Sequence, residues 1–183
     1  LETKQEMFRC DSFEIVERGP VRVAVEVIRS FGQSRIRQRI SLGPTPGIRF
    51  DTEIDWHETD KMLKVAFPVA VNAGRATYEI QFGNVERPTH RNTSWDMAKF
   101  EVPAQKWACL AEGAHGVALL NDCKYGHDIL ENVMRLTLLR SPKAPDPECD
   151  MGRHHFTYVL LPYFDHFRTP DVVASAYALN SPA

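Results

Sequence analysis

Few residues in this chain could do chemistry, and spacing disarms most of them. His154 and His155 are adjacent, so on a strand they point to opposite faces and cannot grip one metal ion together. Cys123 and His127 stand four apart across Lys124-Tyr125-Gly126, which reads as a turn, and two donors without a partner motif make no metal site. Asp146, Glu148 and Asp150 are the carboxylates that glycoside hydrolysis would need as a pair, but a proline-rich loop makes them a solvated rim. There is no GxSxG elbow, no phosphate-cradling glycine loop and no basic stripe.

Two polar clusters remain. Glu86-Arg87-Pro88-Thr89-His90-Arg91-Asn92-Thr93-Ser94-Trp95-Asp96 combines hydrogen-bonding groups with an aromatic face. That mixture suits a polyol: a ring covers the sugar's C–H face while Arg, Asn and Asp bond its hydroxyls. The same residues also suit a structural loop pinned by its own side-chain to backbone bonds, and read alone they favour that loop. The second cluster, Leu119-Leu120-Asn121-Asp122-Cys123-Lys124-Tyr125-Gly126, follows a short apolar strand and ends in glycine, the signature of a hairpin with an Asx turn.

The elements that must position these clusters are strands. Val21, Val23, Val25 and Val27 alternate with Arg22, Ala24 and Glu26, and Phe31-Gly32-Gln33-Ser34 is a turn. Ile36, Ile40 and Leu42 share the next face, and Gly43 to Gly47 breaks it. Ile48, Phe50, Ile54 and Trp56 point inward, with Arg49, Asp51, Glu53 and Asp55 toward water, the pattern of a half-buried antiparallel strand. Further stripes are Leu63-Val65-Phe67-Val69, with Pro68 marking an edge or strand end, then Tyr78-Ile80-Phe82, Val117–Leu120, Met134-Leu136-Leu138 and Phe156-Tyr158-Leu160. One helix of a turn or two is expected, with Asp171 as N-cap after Pro170. Gly83 to Trp107 and Ser141 to Gly152 read as long polar loops, which are often functional. The fold class is therefore all-β, a large antiparallel β-sandwich.

Composition agrees: 43% apolar and 25% charged residues are enough for a sizeable core. A net charge of −2 gives no electrostatic reason to bind nucleic acid or an anionic membrane, and no apolar run is long enough to span one. The Asn92-Thr93-Ser94 sequon matters only in a secreted protein, and nothing else signals secretion. Residues 1–183 are expected to form a single domain, with both ends cut from a longer chain: Leu1 opens without Met, and the last residues stop after a structured stretch.

At the two polar clusters the sequence resembles a known family. ERPTHRNTSWD (Glu86–Asp96), ALLNDCKYG (Ala118–Gly126) and LLRSPKAPDP (Leu138–Pro147) are similar to the C-terminal region of family 38 α-mannosidases, in the branch containing the cytosolic and many microbial enzymes. Asp55-Trp56-His57, Leu63–Pro68 and Tyr177-Ala178-Leu179-Asn180 extend the resemblance in the same order over nearly the whole chain. It implies a retaining exo-α-mannosidase whose N-terminal α/β barrel carries a zinc ion and an Asp nucleophile. None of that barrel is recognisable here, so the resemblance places no catalytic residue, metal ligand or cofactor on this chain; zinc is implied for the absent catalytic domain. This chain would be the mutarotase-like supersandwich that packs on the barrel and helps wall its pocket. The implied partners are that barrel in the same polypeptide and mannosides or oligosaccharides, and the implied location is cytoplasmic. Arg140, just after the Met134–Leu139 strand, matches best the arginine that reaches the pocket in related members. Asn121, Asp122 and Tyr125 lie in a motif typical of the branch, as pocket wall or structural turn; His90 and Asn92 complete the substrate-binding candidates. The competing readings are an independent carbohydrate-binding module and a structural domain without sugar contact.

Cys10, Cys109, Cys123 and Cys149 have irregular spacings and form no CxxC, which reads as free thiols in a reducing compartment. Thiol titration of the denatured, unreduced protein is expected to find all four; two or none would mean disulfides and an oxidising compartment.

Overall fold

A computed structural model describes residues 4–164 and 170–181. It contains 53% strand and 9% helix, so the β-sandwich expected from the alternation stands. The strands are β1 (Ser12–Arg18), β2 (Val23–Phe31), β3 (Ser34–Leu42), β4 (Ile48–Trp56), β5 (Leu63–Pro68), β6 (Arg75–Ile80), β7 (Gly83–Pro88), β8 (Val102–Pro103), β9 (Trp107–Glu112), β10 (His115–Asn121), β11 (Gly126–Leu130), β12 (Val133–Leu139) and β13 (Gly152–Phe164). The helices are α1 (Ser94–Ala98), between β7 and β8, and α2 (Pro170–Asn180). No helix among the described residues is long and apolar enough to cross a membrane.

Nine strands form one antiparallel sheet in the order β1-β2-β3-β4-β13-β10-β9-β6-β7, and four form a second in the order β5-β12-β11-β8. The inward residues read from period two meet between them: Phe50, Ile54 and Trp56 of β4, Tyr78 of β6, Leu119 of β10, Phe156 and Tyr158 of β13, and Met134 and Leu136 of β12 belong to one buried cluster. Each fully buried large side chain there is worth about 1.5–3 kcal/mol relative to exposure. Phe50 and Tyr158, neighbours across the ladder, stack with ring centroids 4.9 Å apart. Pro68 ends β5, an edge strand, where its missing N–H costs no ladder bond.

The large sheet is wider than its cover. Its inner face continues across β3, β2 and β1, where Leu42, Val23, Phe13 and Ile15 stay exposed. Of the valine stripe expected to share one face, Val27 is buried at 4% exposure while Val21 lies outside the sheet at 70%. On the outer face the central strands are covered by α2. Val172 and Ala176, four apart, bury against Trp107, Ala118, Leu120, Val159, Leu161 and Tyr163. That burial makes the helix three turns long rather than the one or two expected, with Asp171 inside its first turn.

The expected long loop from Gly83 to Trp107 is instead an edge strand, a short helix and a two-residue strand. β7 pairs with β6 throughout its length. Thr93 caps α1 through a reciprocal pair with Asp96: the Thr93 hydroxyl accepts from the Asp96 N–H at 3.1 Å, and the Asp96 carboxylate accepts from the Thr93 N–H at 3.2 Å. The four cysteines are unpaired, Cys109 buried and Cys10 and Cys123 exposed.

The β2–β3 turn is tied to the end of β4 by Glu58, only 9% exposed, whose Oε1 accepts from the Gln33 N–H at 2.9 Å and the Ser34 hydroxyl at 3.2 Å. Gly32 has φ +58°, and a Cβ there would stand 2.2 Å from the same Oε1. Gly32→Ala is therefore expected to lower stability by about 1–3 kcal/mol, read as a lower urea midpoint at unchanged slope.

Candidate functional site

β11 and β12 form an antiparallel hairpin, so the start of one and the end of the other lie at the same end of the small sheet. That places two segments at one end of the sandwich: the Asn121–Gly126 turn, leading into β11, and the loop from Arg140, leaving β12. Asn121 is 1% exposed. Its Nδ2 donates to the Gln105 carbonyl at 2.9 Å and its Oδ1 accepts from the Lys124 N–H at 2.7 Å, the Asx turn that the residue types suggest. Its own carbonyl accepts from Asn180 Nδ2 at 2.9 Å, so the last residue of α2 braces the turn. With these groups engaged, Asn121 acts as the pin of the turn.

Asp122 extends the β10–β13 ladder by side chain as well as backbone. Its Oδ2 accepts from the Thr157 N–H at 2.8 Å, while its Oδ1 is buried with no hydrogen-bond partner among the described residues. Burial first, then the neighbouring Asp122 carboxylate, pushes the Cys123 thiol up to about 11. Cys123 is therefore a thiol at neutral pH and a poor nucleophile. Lys124 Nζ stands 4.4 Å from the Phe156 ring centroid. Tyr125, beside it, is 60% exposed.

Arg140 is exposed, and its guanidinium has no ion pair among the described residues, with neither Asp146 nor Glu148. Its backbone is held firmly. Asp150 Oδ2 accepts from the N–H groups of Arg140 at 2.8 Å and Ser141 at 3.0 Å. Ser141, 1% exposed, accepts a hydrogen bond from Trp56 Nε1 through its hydroxyl. Burial pushes the Asp150 carboxyl up, but the two N–H groups, helped by His154 and Lys124, outweigh it and hold the group below the usual carboxylate range. Asp150 is thus a positioning residue, not the solvated rim expected from its loop. Its signal was faint, because backbone donors have no side-chain signature. Asp146 keeps to the rim, accepting from the Glu148 N–H at 2.9 Å.

His90 and Asn92 lie elsewhere, exposed on the segment between β7 and α1. His90 Nδ1 is 4.0 Å from Asp96 Oδ2, and His90 borders a cavity at the open edge between the sheets. The six candidates therefore divide: Asn121, Asp122, Tyr125 and Arg140 at one end, His90 on the cavity rim and Asn92 two residues beyond it on the same exposed segment. His127, considered in sequence only beside Cys123, is fully buried and faces the same cavity. Zinc finds no donor set among the described residues, where no three His, Cys, Asp or Glu side chains converge. His154 Nε2 is bonded to the Asp150 carbonyl at 2.9 Å, while His155 points to the opposite face.

Residues 1–148 match the model of the glycosyl hydrolases family 38 C-terminal domain. The chain belongs to this family. The family 38 domain is 53% identical over 150 residues to human alpha-mannosidase 2C1, covering 81% of this chain and 14% of the human protein. It is 46% identical over 166 residues to the alpha-mannosidase of Saccharomyces cerevisiae, covering 86% of this chain and 15% of the yeast protein. The chain thus spans about a seventh of the length of these curated relatives. Among solved structures it is similar to an alpha-mannosidase from Enterococcus faecalis, with TM-score 0.80 and 17% identity over 91% of this chain and 24% of that one. It is also similar to galactose 1-epimerase from Lactobacillus acidophilus, with TM-score 0.54 and 8% identity over 84% of this chain and 66% of that one. At such identities both likenesses are of fold, and they bear out the mutarotase-like sandwich expected from the resemblance.

The depressed Asp150 carboxyl has a signed consequence. A lowered folded pKa stabilises above the unfolded carboxylate pKa, and the gain is lost as pH falls through the folded value. Asp150→Asn is expected to destabilise the family 38 domain most near neutral pH, with the gap to wild type closing below about pH 4. Urea midpoints measured from pH 7 to pH 3 check this; a gap constant with pH would remove the charge from the account.

Proposed function

We propose that this domain is the C-terminal accessory sandwich of a retaining α-mannosidase that removes terminal α-mannosyl residues. It supports, and partly walls, the active site of an N-terminal catalytic barrel in the same polypeptide. The observation that carries the reading is coverage: proteins named α-mannosidases, about seven times longer, align over most of this chain at high identity. A reading as an independent carbohydrate-binding module gains no support from those relatives. Zinc belongs to the barrel in this reading, the substrate is a mannoside or mannose-bearing oligosaccharide, and the protein is cytoplasmic.

Two features support docking on a larger body. The inner face of β1–β3 leaves Phe13, Ile15, Val23 and Leu42 exposed beside one another, an apolar surface of the kind that interfaces use. At the end of the small sheet Arg140 presents an unpaired guanidinium on a backbone fixed by Asp150 and Ser141. A guanidinium so held has a rigid fork of donors, able to bond two neighbouring sugar hydroxyls or a carboxylate that orients them. Tyr125 adds an exposed phenol at the same end, while Asn121 and Asp122 hold the turn that carries it. His90 and Asn92 would contact substrate only in its outer portions, since they lie at a different edge.

Arg140→Ala in the full-length enzyme is expected to lower kcat/KM on an aryl α-mannoside about ten- to a hundred-fold, the loss of a positioned charged hydrogen bond. Unchanged kinetics at unchanged folding would return Arg140 to the surface and leave the domain as a structural partner of the barrel.

A further inference from the structure

A second site lies at the open edge of the sandwich, away from Arg140. Tyr78 of β6, Arg87 of β7 and His127 of β11 line a cavity of about 360 Å³ there. All three occupy inward-facing positions. Arg87 follows Val85 by two along β7, and β7 pairs with β6 so that Val85 faces Tyr78 and Arg87 faces Ala76, both core residues. His127 precedes the buried Ile129 by two on β11. An arginine and a histidine thus stand where the alternation calls for apolar side chains, a local cost that folds accept mainly at functional sites.

Neither is satisfied within the protein. His127 is 0% exposed, and both its ring nitrogens lack a hydrogen-bond partner among the described residues. Burial, with the Arg87 and Lys64 charges nearby, pushes its pKa down to about 3, so the ring is neutral at physiological pH, with one nitrogen a donor and the other an acceptor. The Arg87 guanidinium lies 4.6 Å from the Tyr78 ring centroid, its Nη1 is buried without a partner, and no carboxylate pairs with it among the described residues. The carboxylates around the cavity are already engaged: Glu86 with Arg75 at 3.1 Å, Asp128 with Arg91 at 3.3 Å, and Asp96 in the α1 cap. The charge left over at the cavity wall is positive.

We propose that this cavity binds a small hydroxylated oxyanion, a sugar phosphate or a hydroxycarboxylate, with its anionic oxygens on Arg87 and its hydroxyl on His127. An oxyanion supplies the counter-charge that Arg87 lacks and accepts from its Nη1. An adjacent hydroxyl bonds the His127 ring nitrogen that faces it, so one ligand reaches both unpartnered side chains. The cavity volume falls within the range of small-molecule sites. The proposal is independent of the mannosidase reading, since it uses neither Arg140 nor the barrel.

The test is calorimetric titration of the natural full-length gene product with inorganic phosphate, a hexose 6-phosphate and gluconate. The hexose phosphate or gluconate, whichever source the site serves, is expected to bind more tightly than inorganic phosphate. Arg87→Gln is expected to weaken that binding at least tenfold. His127→Phe keeps the ring and removes both orphaned nitrogens, so it should fold at least as stably as wild type yet bind several-fold more weakly. It carries the test if Arg87→Gln fails to fold. Absence of binding by all three probes at millimolar concentration would overturn the site, leaving the wall to water or to another part of the polypeptide. Binding that survives both substitutions would place the ligand elsewhere and overturn it equally.

Discussion

The large sheet holds together because one strand, β13, is long enough and buried enough on both sides to join two sets of strands. It hydrogen-bonds β4 along one edge and β10 along the other. Phe156 and Tyr158 enter the core between the sheets, while Val159, Leu161 and Tyr163 enter the layer under α2. Removing β13 would leave β1–β4 as a meander and β10-β9-β6-β7 as a separate four-stranded piece, each with an exposed edge. The match to the family model ends at residue 148, yet the physical unit does not: the strand that completes the sheet begins at Gly152. The end of the sandwich carrying Arg140 depends on it too. Asp122 is held by Thr157 of β13, and Asp150 fixes Arg140 two residues before β13 begins.

Much of this was legible from period two. β4 reads cleanly because one of its faces meets the core and the other meets water, and β12 and the turn at Gly32-Gln33 read equally well. What was missed had physical reasons. β1 was not anticipated because Phe13 and Ile15 point into uncovered space, so its burial shows no alternation. β7 was taken for loop because Arg87 occupies an inward position and breaks the apolar stripe. α2 was read as too short, although Val172, Val173, Ala176 and Leu179 recur at helical spacing; small and β-branched residues made the stripe weak. Of the site, the Asx turn at Asn121 was legible in the residue types. The brace from Asn180 and the backbone clamp from Asp150 were not, because both bond main-chain groups that every residue shares.

The two polar ends of the sandwich use opposite devices. At the Arg140 end the cation is presented outward, and Asp150, Ser141 and Trp56 spend their hydrogen bonds on holding the segment that carries it. At the open edge, polar side chains face inward instead. Asp128 there gathers Lys64, Arg91 and Arg135 within 3.8 Å, knitting the outer face of the small sheet. Paired surface charges of this kind contribute little stability individually. They take up Asp128, so that this carboxylate at the cavity is not left to Arg87.

The pairing of β4 with β13 joins residues about a hundred positions apart. Contacts that distant are slow to form, since a long loop must close before they stabilise anything. On a ribosome adding about 5–20 residues per second, β4 emerges roughly 5–20 s before its partner strand. For that interval the edge of β4 that ends in the middle of the finished sheet is an open ladder, flanked by the aromatic side chains of Phe50 and Trp56. The part of the nascent chain most in need of shielding is therefore the part that is best protected once synthesis is complete.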